Sequence, residues 1–318
     1  MVGVTRTKQQ AAAVLAAVGA AALWGTTGTA QALGPEGMQP VVVGALRILV
    51  GALALTLLAV ALRPRSRPAL PTGQVARVPQ TVVVLLGGLC VAAYQVCFFE
   101  GVARAGVAVG TVVALGTAPV ATGLLGLLLA EKPSPRWILA TAGAVTGVVL
   151  LVTGSAGPGV RVDALGIAAA IGAGLSYAGY TVAARTLLLR GVRGLVVMAW
   201  LFVAGAVLLL PVLFSVDLTW LRSPAGWAVV LWLGIGATGV SYVLFQHGLA
   251  RLSASTVATL SLAEPVTATL LGVLVLRESL SVLSAIGIAV ALLSLLLVAV
   301  PARRRARRRS ARSVQSPP

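Results

Sequence analysis

Residues 279–300 have the sequence SLSVLSAIGIAVALLSLLLVAV, which contains no charged side chain. A helix of that length rises about 33 Å and crosses the roughly 30 Å hydrocarbon core of a bilayer. Comparable apolar runs recur along the whole chain, separated by short segments that hold glycine, proline and charged residues. The sequence therefore predicts an all-α, polytopic membrane protein with ten transmembrane helices. The predicted spans are 11–33, 40–62, 80–103, 107–130, 136–153, 164–186, 194–214, 226–249, 253–276 and 279–300.

Composition excludes a water-soluble domain and gives no support to an enzyme. The 318 residues are 58% hydrophobic and 10% charged, with a mean hydropathy of +1.01, whereas soluble domains carry about 25% charged residues. The chain has one histidine and neither a metal-binding cluster nor a nucleophile motif, so we expect no catalytic residue, metal or cofactor. The chain also lacks a phosphate-binding loop, so transport by it would draw on a gradient rather than on ATP bound to this chain.

The basic residues predict the orientation of the spans. With the N-terminus inside, nineteen of the 24 lysines and arginines lie in cytoplasmic segments, four lie outside and Arg47 lies within a span. This bias follows the positive-inside rule and places both termini in the cytoplasm of a plasma-membrane protein. The N-terminal segment 1–10 and the tail 301–318 are then cytoplasmic. We expect the arginine-rich tail to bind anionic lipid headgroups, and we expect no nucleic-acid partner despite the net charge of +17.

Two segments near the ends of predicted spans repeat each other. Residues 98–104 are FFEGVAR and residues 245–251 are FQHGLAR, at an offset of 147 positions. The same offset relates Glu131 to Glu278. An offset of 146 relates the pair Pro119-Val120 to the pair Pro265-Val266. Self-similarity at one offset indicates two related halves.

The two halves, 11–153 and 164–300, contain five predicted spans each. Because five is odd, the halves must enter the membrane from opposite sides, so Arg104 lies outside and its counterpart Arg251 lies inside. Inverted repeats of this kind build alternating gates around one central site in secondary transporters. The fold we expect is therefore two inverted five-helix repeats.

The ordered set of motifs resembles the EamA-type families of the drug/metabolite transporter superfamily over about residues 11–300. One departure is that Ala118-Pro119 stands where the second half has Glu264-Pro265. The features that carry the resemblance are Trp24-Gly25-Thr26-Thr27, Arg47 shortly after Pro40, the duplicated Gly-x-Ala-Arg, Glu131, Ala263-Glu264-Pro265-Val266 and Glu278.

This resemblance implies a secondary transporter that exports a small metabolite, amino-acid-like or drug-like. The candidate for proton coupling is Glu264, on its position in the sequence. Two alternatives stay open: a flippase for lipids or lipid-linked sugars on the same fold, and an accessory membrane protein without transport. The expected partners are a small-molecule substrate and the lipid bilayer, and a homodimer is compatible with the sequence.

Glu264 is the candidate for the central functional acid. It lies near the middle of its span, where a charged carboxylate costs roughly 2.5–3.5 kcal/mol. Pro265 follows it and leaves the Ser261 carbonyl without its usual helical donor, which predicts a loosened helix with a free carbonyl beside the acid. The alternative role for Glu264 is a hydrogen bond between helices.

Polar and aromatic positions in several spans are candidates for a substrate cavity, and the alternative for each is a bond between helices. Tyr242 and Gln246, for example, are four residues apart and share one helix face. Glu100 and His247 are further candidates for proton coupling, although their place near span ends also suits side chains that extend to the interface. The cavity candidates are Trp24, Thr27, Tyr94, Gln95, Tyr177, Tyr180, Tyr242, Gln246 and Glu264.

Overall fold

The computed structural model describes residues 2–62, 78–155, 163–214 and 216–300. Throughout those ranges the regular structure is helical and no strand occurs. Nine of the described helices are long and apolar enough to cross a membrane, which confirms the predicted all-α polytopic class. The tail 301–318 and most of the segment 63–79 lie outside the described residues.

The nine helices follow the predicted spans closely, because apolar length sets where a membrane helix begins and ends. Some of the breaks between them contain glycine or proline, as at Gly34-Pro35 and Pro133. The helices are α1 (Val2–Ala32), α2 (Pro40–Ala61), α3 (Gln80–Leu129), α4 (Pro135–Ser155), α5 (Ala164–Leu189), α6 (Gly194–Phe214), α7 (Pro224–Leu249), α8 (Ala254–Val275) and α9 (Val282–Ala299).

Helix α3 is broken at Gly106, whose φ of 82° and ψ of 156° are not helical. A Cβ atom on Gly110 would lie 2.9 Å from the Cα of Val102, although eight residues of straight helix advance about 12 Å. The chain therefore reverses at Gly106 into two arms, α3a (80–105) and α3b (107–129). Glycine suits this position because its positive φ is costly for other residues. The reversal supports the two spans predicted here, and the count of ten stays a prediction.

Small residues bring the helices into close contact. A Cβ added to Gly147 of α4 would lie 2.5 Å from the backbone nitrogen of Ala291 in α9. A Cβ added to Gly287 would lie 2.3 Å from the backbone nitrogen of Leu151. Gly166 of α5 faces Ala105 of α3a in the same way. Lipid supplies no hydrophobic drive between helices, so backbones that approach closely provide the packing energy.

Helices α7 and α8 are irregular near the centre of the molecule. Helix α7 contains a π-helical stretch, Trp232–Val240, and such stretches are frequent at functional sites. Helix α8 consists of Ala254–Leu260 and Ala263–Val275 with a turn between them, which confirms the predicted loosening before Pro265. The prediction of a free Ser261 carbonyl is wrong, because that oxygen accepts the backbone N–H of Glu264 at 3.0 Å.

Candidate functional site

The first and seventh helices meet at Trp24. Its indole Nε1 donates a hydrogen bond of 2.9 Å to Ser241 Oγ, and Ser241 in turn donates to the carbonyl of Ala237 at 2.7 Å. The indole ring packs against Tyr242 and Phe245, with centroids 5.2 and 5.5 Å away. Trp24 is only 5% exposed, so this contact forms one wall of a buried aromatic centre.

Two tyrosines of α5 connect that wall to the other irregular helix. The hydroxyls of Tyr180 and Tyr242 are 3.0 Å apart, and the Tyr177 hydroxyl lies 2.7 Å from Ser261 Oγ at the break in α8. The rings of Tyr177 and Tyr180 contact each other edge to face at 5.1 Å. Phe202 of α6 completes the cluster, 4.2 Å from the ring of Tyr242. Residues from both halves thus converge on one centre.

Glu264 is the second residue of the second part of α8 and lies beside α1. A Cβ on Gly25 would lie 2.7 Å from the Glu264 carbonyl oxygen, so the acid is adjacent to Trp24 and Thr27 along α1. The Glu264 side chain is half-buried, and no hydrogen bond or ion pair to it occurs among the described residues. An acid without a partner inside a membrane-spanning helix is expensive and is a candidate for a functional group.

Arg47 of α2 and Glu264 of α8 both lie beside α1, yet the two form no ion pair among the described residues. Arg47 Nη1 donates a long hydrogen bond of 3.5 Å to Thr27 Oγ1, and its buried Nε has no partner among the described residues. The guanidinium therefore keeps unused donors inside the membrane. A cation and an acid that lie unpaired in membrane-spanning helices can each bind a part of a substrate.

The two candidates on α3a occupy different surroundings. Tyr94 stacks on Phe98, with ring centroids 5.7 Å apart, and contacts Tyr177 at 6.4 Å, so it borders the aromatic centre. Gln95 is buried at 3% exposure and faces α2, where its Oε1 would lie 3.1 Å from a Cβ on Gly44. Tyr94 belongs to the site by position, whereas Gln95 packs beside it.

Three predicted residues lie away from this centre. Gln246 packs against Gly194, where a Cβ would come within 1.7 Å of its Oε1, so it spaces α6 from α7. Glu100 is half exposed and forms an ion pair with Arg104 one turn later. His247 contacts Arg251 through its Nδ1 at 3.3 Å. Each of these three has a local role at a helix end, and none reaches Glu264.

The site also contains residues that were not among the sequence candidates. Arg47 carried a signal, because a lone charge inside an apolar span has few structural uses. Ser241 and Ser261 carried none, since small hydroxyl residues are common throughout membrane helices and usually bond to their own backbone. Only the meeting of distant helices makes them partners of Trp24 and Tyr177.

Comparisons with known proteins agree with this architecture. The model of the "EamA-like transporter family" matches residues 11–153 and 164–300. A protein of Bacillus subtilis (strain 168) named "Uncharacterized transporter YwfM" is 40% identical over 289 residues, which cover 90% of this chain and 93% of that protein. A protein of known crystal structure superposes with a TM-score of 0.73 at 25% identity, over 90% of this chain and 95% of its own.

Proposed function

Because the chain belongs to the EamA-like transporter family, we propose that it is a proton-coupled exporter of a small amino-acid-like or drug-like metabolite. It is a multi-pass membrane transporter of the drug/metabolite superfamily. The observation that carries the finer proposal is that a cation and an acid beside α1 are unpaired: Glu264 has no hydrogen bond or ion pair among the described residues, and Arg47 keeps a buried Nε without a partner. We place the protein in the plasma membrane with both termini in the cytoplasm, as its charge distribution predicts.

The chemistry of the centre suits a substrate that is both charged and apolar. Arg47 has unused donors in a planar fork that binds a carboxylate in two-point fashion. The rings of Trp24, Tyr94 and Tyr177 offer apolar contact and attract ammonium groups through their faces. An amino-acid-like solute presents a carboxylate, an amine and a carbon frame, and thus matches all three kinds of group.

Glu264 is proposed as the proton carrier. A carboxylate near the middle of the membrane is stabilised by a proton or by a positively charged group. If a proton and the substrate compete for the Glu264 carboxylate, protons that flow down their gradient drive the substrate in the opposite direction. The matching position in the first half is Ala118, so only one such acid is present in the two halves.

The test begins with the substrate. Cells with and without the protein are compared for exported metabolites, and a metabolite that depends on the protein is then measured in inside-out vesicles with an imposed pH gradient. Glu264→Gln keeps the shape of the side chain but cannot exchange a proton at neutral pH. We expect it to bind the metabolite and to lose pH-driven accumulation, while an equally expressed Glu100→Gln control keeps it.

Transport by Glu264→Gln at the parental rate, with the same pH dependence, would show that the acid is structural and that coupling lies elsewhere. Absence of any protein-dependent metabolite in the medium would argue against export of a soluble cargo.

One observation favours the flippase as a second candidate function. A cavity of about 680 Å³ lies between α2, α3a and α6, away from Glu264. Its lining is mostly apolar and includes Val60, Trp200 and Val203, together with Arg193. A lipid tail fits such a lining, and an arginine suits a phosphate headgroup. In proteoliposomes, protein-dependent movement of a fluorescent phospholipid between leaflets would support the flippase over metabolite export.

A further inference from the structure

A buried ion pair holds four helix ends together on one side of the molecule. The Arg185 Nε of α5 donates to Glu131 Oε1 at 2.8 Å, and both side chains are 14% exposed. The other carboxylate oxygen accepts the backbone N–H of Ala254, the first residue of α8, at 2.8 Å. Arg185 Nη1 donates to the carbonyl of Leu249, the last residue of α7, at 2.7 Å. The segment after α3b, α5, α7 and α8 are therefore joined through two side chains.

The charges of this pair match the helix ends that they contact. The negative carboxylate caps the positive N-terminal end of α8, and the guanidinium contacts the negative C-terminal end of α7. Each side chain serves two partners at once, so a movement that separates α8 from α5 must break several charge-assisted bonds together. Such an arrangement is a closed contact among these helices.

The second half contains the same turn without the pair. Ala130 and Arg277 both adopt a left-handed φ, of 57° and 60°. The backbone N–H of the following acid then bonds to a glycine carbonyl in each case, from Glu131 to Gly126 at 3.0 Å and from Glu278 to Gly272 at 3.1 Å. Yet Glu278 is exposed, and its carboxylate has no hydrogen bond or ion pair among the described residues. The two acids thus share a backbone setting and differ in their partners.

Sequence explains the difference. Helix α1 holds in the first half the place that α5 holds in the second, and it contains no lysine or arginine between Lys8 and its end. Glu278 therefore has no counterpart of Arg185 on that helix. The residue equivalent to Ala254 at the offset of 147 is Val107, which follows the break at Gly106.

We propose that the Glu131–Arg185 pair is a one-sided gate lock, which holds the protein closed on the face where α8 begins and opens in each transport cycle. This rests on the proposed function, since only a protein that alternates between two states needs to open such a contact. The lock is on the predicted cytoplasmic face, so it closes the protein toward the cytoplasm. The mirror position at Glu278 lacks a lock, and this asymmetry gives the two closed states unequal free energies.

The test measures access to the interior from the locked face. Ala258, one turn inside α8 and 1% exposed, is replaced by cysteine after Cys90 and Cys97 are changed to alanine, and an impermeant maleimide is added to inside-out vesicles. We expect Glu131→Gln and Arg185→Gln each to speed labelling at least about fivefold, and the double variant to act like either single one. Glu278→Gln is the matched control, because it makes the same change in the equivalent turn of the second half, and it should leave the rate unchanged.

A second measurement uses the unmodified protein, so it does not depend on how the variants fold. Hydrogen exchange should be at least about tenfold slower for the backbone around Ala254 than for that around Val107, because only the former is capped by a carboxylate. Equal hydrogen exchange around Ala254 and Val107 would overturn the lock. So would labelling of Glu131→Gln and Arg185→Gln at the parental rate, or an increase in labelling by Glu278→Gln as large as theirs. Neither measurement needs a substrate, so failure to find a cargo would count against the proposed export alone.

Discussion

Replacing Gly25 with alanine should separate α1 from α8 at the point where Glu264 lies. The added Cβ would come 2.7 Å from the Glu264 carbonyl oxygen, 2.8 Å from Thr267 Cβ and 3.0 Å from the backbone nitrogen of Ala268. Two of these three atoms belong to the backbone, so no flexible side chain can move aside. Helix α1 must instead retreat by more than half an ångström, and overpacking of this kind costs about 1–3 kcal/mol.

Gly28 provides a matched control on the same helix. A Cβ there meets nothing within 4 Å, so Gly28→Ala makes the same chemical change without the collision. Alanine favours the helix over glycine by up to about 1 kcal/mol at either position, and this gain cancels in the comparison. The difference between the two variants, about 1–3 kcal/mol, therefore measures the contact between α1 and α8.

The assay compares thermal unfolding of both variants in the same detergent and pH-driven transport in vesicles. Gly25→Ala should unfold at a lower temperature than Gly28→Ala and should lose transport, because the retreat of α1 also shifts Trp24 away from Ser241. Equal unfolding temperatures and equal transport in the two variants would refute the close approach and the position given to Glu264.

Two further predictions concern the aromatic centre and the topology. Trp24→Phe and Ser241→Ala should each lower the free energy of unfolding by about 1 kcal/mol. The double variant should lose less than the sum of the two single losses, because both changes remove the same hydrogen bond. Additive losses in thermal unfolding would contradict the bond. Thr72→Cys, in a protein whose two native cysteines are replaced, should react with an impermeant reagent only in inside-out vesicles, because the positive-inside rule predicts a cytoplasmic position for this segment. Labelling in intact cells would contradict the predicted topology.

Much of the fold follows from the sequence because a bilayer imposes a length on every span. The apolar runs, the breakers between them and the loosened helix before Pro265 are local features, and the structure confirms the helices they predict. The prediction of a free carbonyl at Ser261 was wrong, because a local turn supplies another donor, the backbone N–H of Glu264. The inverted arrangement of the halves stays a prediction, supported by the paired left-handed turns at Ala130 and Arg277.

The site was predictable only in part, since it depends on contacts between residues far apart in the chain. Glu264 and the tyrosines stood out as rare polar groups in apolar helices. Gln246 stood out equally, yet it packs against Gly194, one turn away from Tyr242, which contacts Tyr180. Spacing along one helix shows which residues share a face but not what that face meets.

The sequence alone determined the class of protein, its apolar membrane helices and the presence of a rare acid in one of them. The tertiary structure decided which side chains meet, such as Trp24 with Ser241, which are 217 positions apart. The physical reason lies in the solvent. In water the apolar face of a helix marks its buried side, whereas in lipid both faces are apolar, and the rotation of each helix is set by close packing and hydrogen bonds with its neighbours.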